Sequence, residues 1–169
     1  MPPANLNHIS VLNTSTKLSF RTSLPPEATS ENAIALLRDH DWLIRLDPEF
    51  MSYTIDDPPP SANPSSKFYT VTDHMEALPR GLWDTTVRFS AEITDIPNGI
   101  EWRIRAPLGL VQTSFWKIVP AQSEGDAQVD LLEEVEICCS RLLMGTVRSK
   151  IEGNWGGIHA KFVDKLKRK

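Results

Sequence analysis

Four side chains combine proton-transfer chemistry with positions that place them among apolar neighbours. Glu133 lies in an alternating run over residues 129–139, on one strand face with Leu131, Val135, Ile137 and Cys139. If that face is interior, a carboxylate sits in an apolar wall; burial favours the protonated form of such a group and suits it to general acid–base work. The structural alternative is a place near the strand end, reaching solvent or an arginine. Asp73 shares a face with Tyr69, Val71 and Met75. Tyr69 and Asp73, four residues apart on one strand, are separated by roughly 13 Å along it, so they can meet different ends of one molecule. Asp73 equally suits a cap for the turn over residues 74–78. His159 follows Ile158 at the edge of an apolar helical stripe, facing either a cavity mouth or plain solvent. Beside a carboxylate such as Glu133 it would serve isomerisation, dehydration or aldol-type closure of a carbonyl compound. His40 reads as a helix-end group that favours the helix dipole, and His74 as solvent-facing.

The elements that must position these groups follow from periodicity. Leu18, Phe20, Thr22 and Leu24 alternate with polar residues from Lys17, giving a first strand that Pro25-Pro26 ends. Ser30 stands where an N-cap would, and Ala33, Ile34, Leu36 and Leu37 carry a helix to His40. A second short helix carries Trp42, Leu43 and Leu46. Met51, Tyr53 and Ile55 form a second strand, followed by a proline-rich loop over residues 57–66 and a third strand over residues 67–75. Leu78-Pro79-Arg80-Gly81 breaks the chain before a fourth strand over residues 83–93, in which Trp83, Thr85, Val87, Phe89, Ala91 and Ile93 share a face. Asn98-Gly99 supplies residues that tolerate positive φ in a hairpin connection. Ile100, Trp102, Ile104 and Ala106 face inward on a fifth strand. The sixth, residues 110–119, has an open register because Phe115 and Trp116 put an aromatic on each face. After a polar loop and the seventh strand, a helix begins near Leu142. Its stripe of Val147, Ile151, Trp155, Ile158, Phe162 and Leu166 is continuous. Gly153, Gly156 and Gly157 interrupt its middle, each costing up to about 1 kcal/mol relative to alanine, which predicts a kink or hinge controlling cavity entry.

Composition narrows the function. The 169 residues suit one domain, residues 17–169, with residues 1–16 as a loosely held arm. A net charge of -4 leaves no footprint for nucleic acid. The basic tail Lys165, Lys167, Arg168 and Lys169 complements a helix C-terminus. Adjacent Cys138 and Cys139 point to opposite strand faces and do not pair with each other; with no metal-spaced Cys/His cluster, this fits a reducing compartment. No apolar run reaches a membrane span, and the polar first 16 residues are not a signal peptide, so cytoplasm is the expected location. There is no nucleophile elbow, phosphate loop, zinc-type His-Glu motif or dinucleotide fingerprint, hence no cofactor is expected.

The strings His40-Asp41, Leu43-Ile44-Arg45-Leu46-Asp47-Pro48, Thr72-Asp73, Leu78-Pro79-Arg80-Gly81-Leu82, Ala106-Pro107-Leu108-Gly109 and Glu133-Glu134-Val135 occur in that order. With the order strand, helix pair, six strands and long C-terminal helix, the chain resembles the helix-grip superfamily from about Lys17 to Lys169. That superfamily includes START lipid-transfer domains, Bet v 1-like plant allergens and polyketide cyclases or dehydrases (SRPBCC), and the short strings resemble a fungal branch of it. The resemblance implies an α+β fold, a curved seven-stranded antiparallel sheet around the terminal helix, with an elongated apolar cavity between them. It does not select one chemistry. Inward residues offered to a small hydrophobic ligand are Met51, Tyr53, Phe89, Trp102 and Ile104 from the early strands. Phe115, Val135 and Ile137 join them from the later strands, and Trp155 and Ile158 from the helix. All of them also serve as ordinary core filling.

The leading reading is a cofactor-independent cyclase, isomerase or dehydratase for a hydrophobic polyketide- or terpenoid-type intermediate. Glu133 would be the acid or base, and Asp73, Tyr69 and His159 the polar positioning groups. The competing reading is a carrier or sensor of a lipid, sterol or similar ligand, favoured if Glu133 and Asp73 both face solvent. A third, an interaction module filled by its own side chains, predicts no pocket above roughly 300 Å³.

Overall fold

The computed structural model describes residues 13–74, 86–122 and 128–168. Along the described chain run β1 (Asn13–Ser23), α1 (Ser30–Leu37), α2 (His40–Ile44), β2 (Phe50–Asp56), β3 (Ser66–His74), β4 (Thr86–Ile96), β5 (Gly99–Ala106), β6 (Leu110–Pro120), β7 (Val129–Ser140) and α3 (Arg141–Leu166), with a 3-10 turn at Pro107–Gly109. The strands form one sheet of seven in the order β1-β7-β6-β5-β4-β3-β2, every neighbouring pair antiparallel. This is the expected α+β architecture. From β3 onward each strand lies beside its predecessor, and β7 pairs with β1, which leaves β1 and β2 at opposite edges of the sheet. β1 begins at Asn13, four residues before the alternation that marks it in the sequence.

One sheet face is charged: Lys117 Nζ donates to Glu134 at 2.7 Å and Arg103 to Glu101 at 2.9 Å. The other receives α3, whose buried residues are His159, Phe162 and Leu166, and the helix pair, which buries Ala33, Leu36, Leu37, Leu43 and Ile44. Phe162 is wholly enclosed and packs on Trp42 at a ring distance of 6.0 Å. Burial of a side chain that size contributes about 2–3 kcal/mol. A smaller apolar cluster of Val135, Ile137 and Cys139 holds the first half of α3 through Val147 and Ile151.

Several local expectations give way to tertiary context. The α1 cap is Thr29, not Ser30: its hydroxyl accepts from Asn32 N at 3.1 Å. The β4–β5 turn consists of Pro97 and Asn98, and Gly99 already belongs to β5 without a positive φ. Glycine is needed there because a Cβ would stand 1.9 Å from the Trp116 carbonyl oxygen. A bulge between Phe50 and Ser52 in β2 breaks the alternation, which leaves Met51 53% exposed. In β6 Trp116 is buried inward and Phe115 turns to the charged face under Lys117. Finally, α3 runs unbroken through Gly153, Gly156 and Gly157. The glycines do not break the helix, because packing at both ends of it outweighs the local propensity cost. Residues 75–85, which include Met75, Trp83 and the Leu78-Pro79-Arg80-Gly81 breaker, lie outside the described residues.

Candidate functional site

Between the sheet and α3 the described residues enclose a cavity of about 220 Å³. Its helix wall runs from Thr146 to Ile158, twelve residue steps and about 18 Å of rise, so the space is long and narrow. Val71, Val87, Phe89, Trp102, Ile104 and Trp116 supply most of the sheet wall. One end adjoins an open depression of about 530 Å³ lined by Gly145, Thr146, Ser149, Lys150, Gly153, Asn154 and Glu49. At about 220 Å³ the cavity falls below the roughly 300 Å³ usual for ligand pockets, the outcome expected of an interaction module, and the depression is a separate, open feature that shares Glu49, Thr146, Lys150 and Asn154 with it.

The deep end is built on β7, β1 and α3. Glu133 and Phe20 are direct cross-strand partners; Phe20 stacks on Trp155 with ring centroids 4.8 Å apart, which fixes the helix over the carboxylate. His159 Nε2 is 3.0 Å from Glu133 Oε2, and His159 Nδ1 is 2.8 Å from Thr22 Oγ1. His159 is 1% and Glu133 7% exposed. Trp116 and Trp155 stand edge-on to the imidazole at 5.3 and 5.4 Å. A Thr22 hydroxyl donating to Nδ1 sets the tautomer that carries its proton on Nε2, which then donates to Glu133. Glu133, not His159, meets the cavity; the histidine holds it from behind. Such an arrangement presents, at the cavity wall, a carboxylate oriented through one of its oxygens, which suits proton abstraction from carbon or transfer to an alcohol.

The outer end carries Asp73, Asp47, Glu49 and Lys150, with Lys150 ion-paired to Glu49. Burial, reinforced by the nearby Asp47 and Glu49 carboxylates and opposed by Lys150, pushes the Asp73 carboxyl up to about 7. It is therefore divided between its two protonation states near neutrality. Among the described residues no cluster of three or more His, Cys, Asp and Glu side chains has the geometry to hold a metal ion.

In sequence, residues 13–168 match the family described as "Domain of unknown function (DUF7053)". The chain belongs to this family. No curated protein matches it in sequence. The solved structures similar to this DUF7053 domain include Zhui aromatase/cyclase from Streptomyces sp. R1128, at a TM-score of 0.65 and 8% identity over 92% of this chain and 95% of that one. Norcoclaurine synthase from Thalictrum flavum, solved as a point mutant, aligns with a TM-score of 0.61 and 13% identity over 94% and 98%. A START superfamily protein from Mycobacterium smegmatis gives 0.60 and 12% over 90% and 97%. At these identities the likeness establishes the helix-grip fold alone.

Within the DUF7053 domain, the expected residues divide. Glu133, Asp73, Phe89, Trp102, Ile104, Trp155 and Ile158 line the cavity, and His159 contacts Glu133 at the deep end rather than facing the mouth. Tyr69 does not reach the cavity: its hydroxyl lies 2.9 Å from His40 Nδ1, and His40 Nε2 lies 3.1 Å from Asp95 Oδ1. His40 is thus a buried partner rather than a dipole-complementing surface group. Burial pushes the Tyr69 hydroxyl up to about 12 and lowers His40, the latter against the opposing pull of Asp95. Tyr53 is turned away from the cavity and donates to Asp41 at 2.7 Å. Met51 is exposed, Phe115 faces outward beside Lys117, and Val135 and Ile137 are consumed in packing the first half of α3.

Residues missed by sequence reasoning include Thr22, Trp116, Asp47, Glu49, Lys150, Ser114 and Gln112. Thr22 carried a signal, since it shares the inward face of Leu18 and Phe20; its partner, 137 residues away, did not. No helix among the described residues is long and apolar enough to cross a membrane.

Proposed function

We propose that this domain is a cofactor-independent acid–base enzyme that folds an elongated hydrophobic intermediate into its cavity and cyclises, isomerises or dehydrates it. The observation that carries this reading is the buried Thr22–His159–Glu133 chain ending at the cavity wall, where Glu133 is the cross-strand neighbour of Trp116. An apolar container has no need of an aligned carboxylate, whose burial costs several kcal/mol unless it is bonded. In the proposed chemistry Glu133 removes a proton from carbon next to a carbonyl, and the enclosing wall excludes water and fixes the reacting conformer. The resulting enolate attacks a second carbonyl or expels a β-hydroxyl, and the proton held by Glu133 returns to the product or the leaving group. The similar fold of an aromatase/cyclase supports a polyketide-type substrate, and a fungal biosynthetic setting belongs to the same proposal.

The test is carbon-bound hydrogen exchange, which does not require the natural substrate. The protein is incubated in D₂O with 2-acetylnaphthalene, and loss of the methyl resonance is followed by NMR. Exchange above the buffer rate is the expected result. Saturable binding without exchange identifies a carrier instead and overturns the enzyme reading.

A further inference from the structure

The outer end of the cavity holds polar groups that proton transfer at Glu133 does not use. Asp73 is 5% exposed, and its Oδ1 has no hydrogen-bond partner among the described residues although it belongs to the cavity wall. A buried carboxylate oxygen left unpaired costs about 1–3 kcal/mol, which a matching donor would offset. The surroundings set the charge of that donor. Asp47 and Glu49 line the same end, and the single cation described there, Lys150, is committed to Glu49. Three carboxyl groups against one paired ammonium create a field that favours a cation and disfavours an anion. Further in, the wall becomes apolar through Val71, Val87 and Phe89, and Trp102 offers a buried Nε1–H donor that also has no partner.

We propose that Asp73 seats the protonated amine of an elongated apolar guest, with Trp102 Nε1–H donating to an acceptor part-way along the same molecule. This names a substrate class for the cavity and rests on the reading of that cavity as a ligand site. A guest so held enters tail first, its uncharged, carbonyl-bearing end delivered to Glu133 and its charged end kept at the wet mouth. Capture is tied to pH through Asp73, whose carboxyl stands at about 7 with Asp47, Glu49 and Lys150 as the charged groups facing it. An alkylammonium stays protonated between pH 6 and pH 8, whereas Asp73 passes from mostly neutral to mostly ionised, so affinity for the amine falls about tenfold on going from pH 8 to pH 6.

Calorimetric titration of the full chain with 6-phenylhexylamine, 6-phenylhexan-1-ol and 6-phenylhexanoate, at both pH values, tests this. At pH 8 the amine should bind about tenfold or more tighter than the alcohol, with the carboxylate weakest. The preference should shrink at pH 6, and Asp73→Asn should bring the amine down to the alcohol. The wild-type series decides the matter even if that variant folds poorly. Equal affinity of amine and alcohol at pH 8 overturns the amine seat while leaving the cavity reading intact, since alcohol binding and carbon-bound hydrogen exchange score that reading separately. Binding of none of the three overturns both.

Discussion

Two buried histidines pair with carboxylates in this domain at nearly the same distance, His159 with Glu133 at 3.0 Å and His40 with Asp95 at 3.1 Å. Each has a hydroxyl on its other nitrogen, Thr22 for the first and Tyr69 for the second. Their surroundings differ. Glu133 is buried and meets an apolar cavity. Asp95 is 40% exposed and its chain leads inward to Tyr69, a ring packed against Tyr53 beneath the helix pair. Pair geometry alone therefore does not distinguish a reactive site from a structural tie; what distinguishes them is whether the carboxylate opens on space that a guest can fill.

The strongest way to break the comparison is to remove each histidine in turn. His159→Leu should lower exchange on 2-acetylnaphthalene about 100-fold, because Glu133 loses its orienting donor. His40→Leu should leave the rate alone while lowering the melting temperature; matching effects on rate would erase the distinction. Asp73, a buried carboxyl with no histidine, supplies the next contrast. Folded, it holds its proton to about pH 7, against an ordinary carboxyl value of 3.8, so its ionisation in the folded state is penalised. Stability is full below about pH 4 and declines as pH rises through 7. Asp73→Asn should therefore be more stable than wild type at pH 8, on the order of 2 kcal/mol, with the gap closing in acid, as denaturant titrations at the two pH values would show. Tyr69→Phe removes one hydrogen bond from the sealed network and should cost about 1 kcal/mol in the same titration without changing exchange. The smallest effect belongs to α3, the helix that lines the cavity. Gly157 is exposed and a Cβ there meets nothing, so Gly157→Ala should raise stability by about 0.5–1 kcal/mol with exchange retained; loss of exchange would restore the hinge.

The strands were legible because one buried face imposes a period of two: β4 keeps that period as far as Ile93, and β3 and β7 keep it from Tyr69 and Leu131 onward. Glu133 stood out for the same reason, as the carboxylate on a face otherwise filled by Leu131, Val135, Ile137 and Cys139. What escaped the sequence is non-local. The bulge in β2 shifts Met51 out of the pattern, and the register of β6 is decided by which of two adjacent aromatics the neighbouring strands admit. Tyr69 and His40 are 29 residues apart and each looked complete by itself. The glycines of α3 misled in the opposite direction, since a local cost was read without the packing that opposes it.

The central claim is that Glu133 is the base at the deep end of the cavity. Its most direct test is the exchange rate of 2-acetylnaphthalene in D₂O with Glu133→Gln, a shape-preserving change that keeps a hydrogen-bonding group beside His159. A drop of about 100-fold or more toward the buffer rate, with binding retained, is the result expected of a lost general base. Undiminished exchange would contradict it.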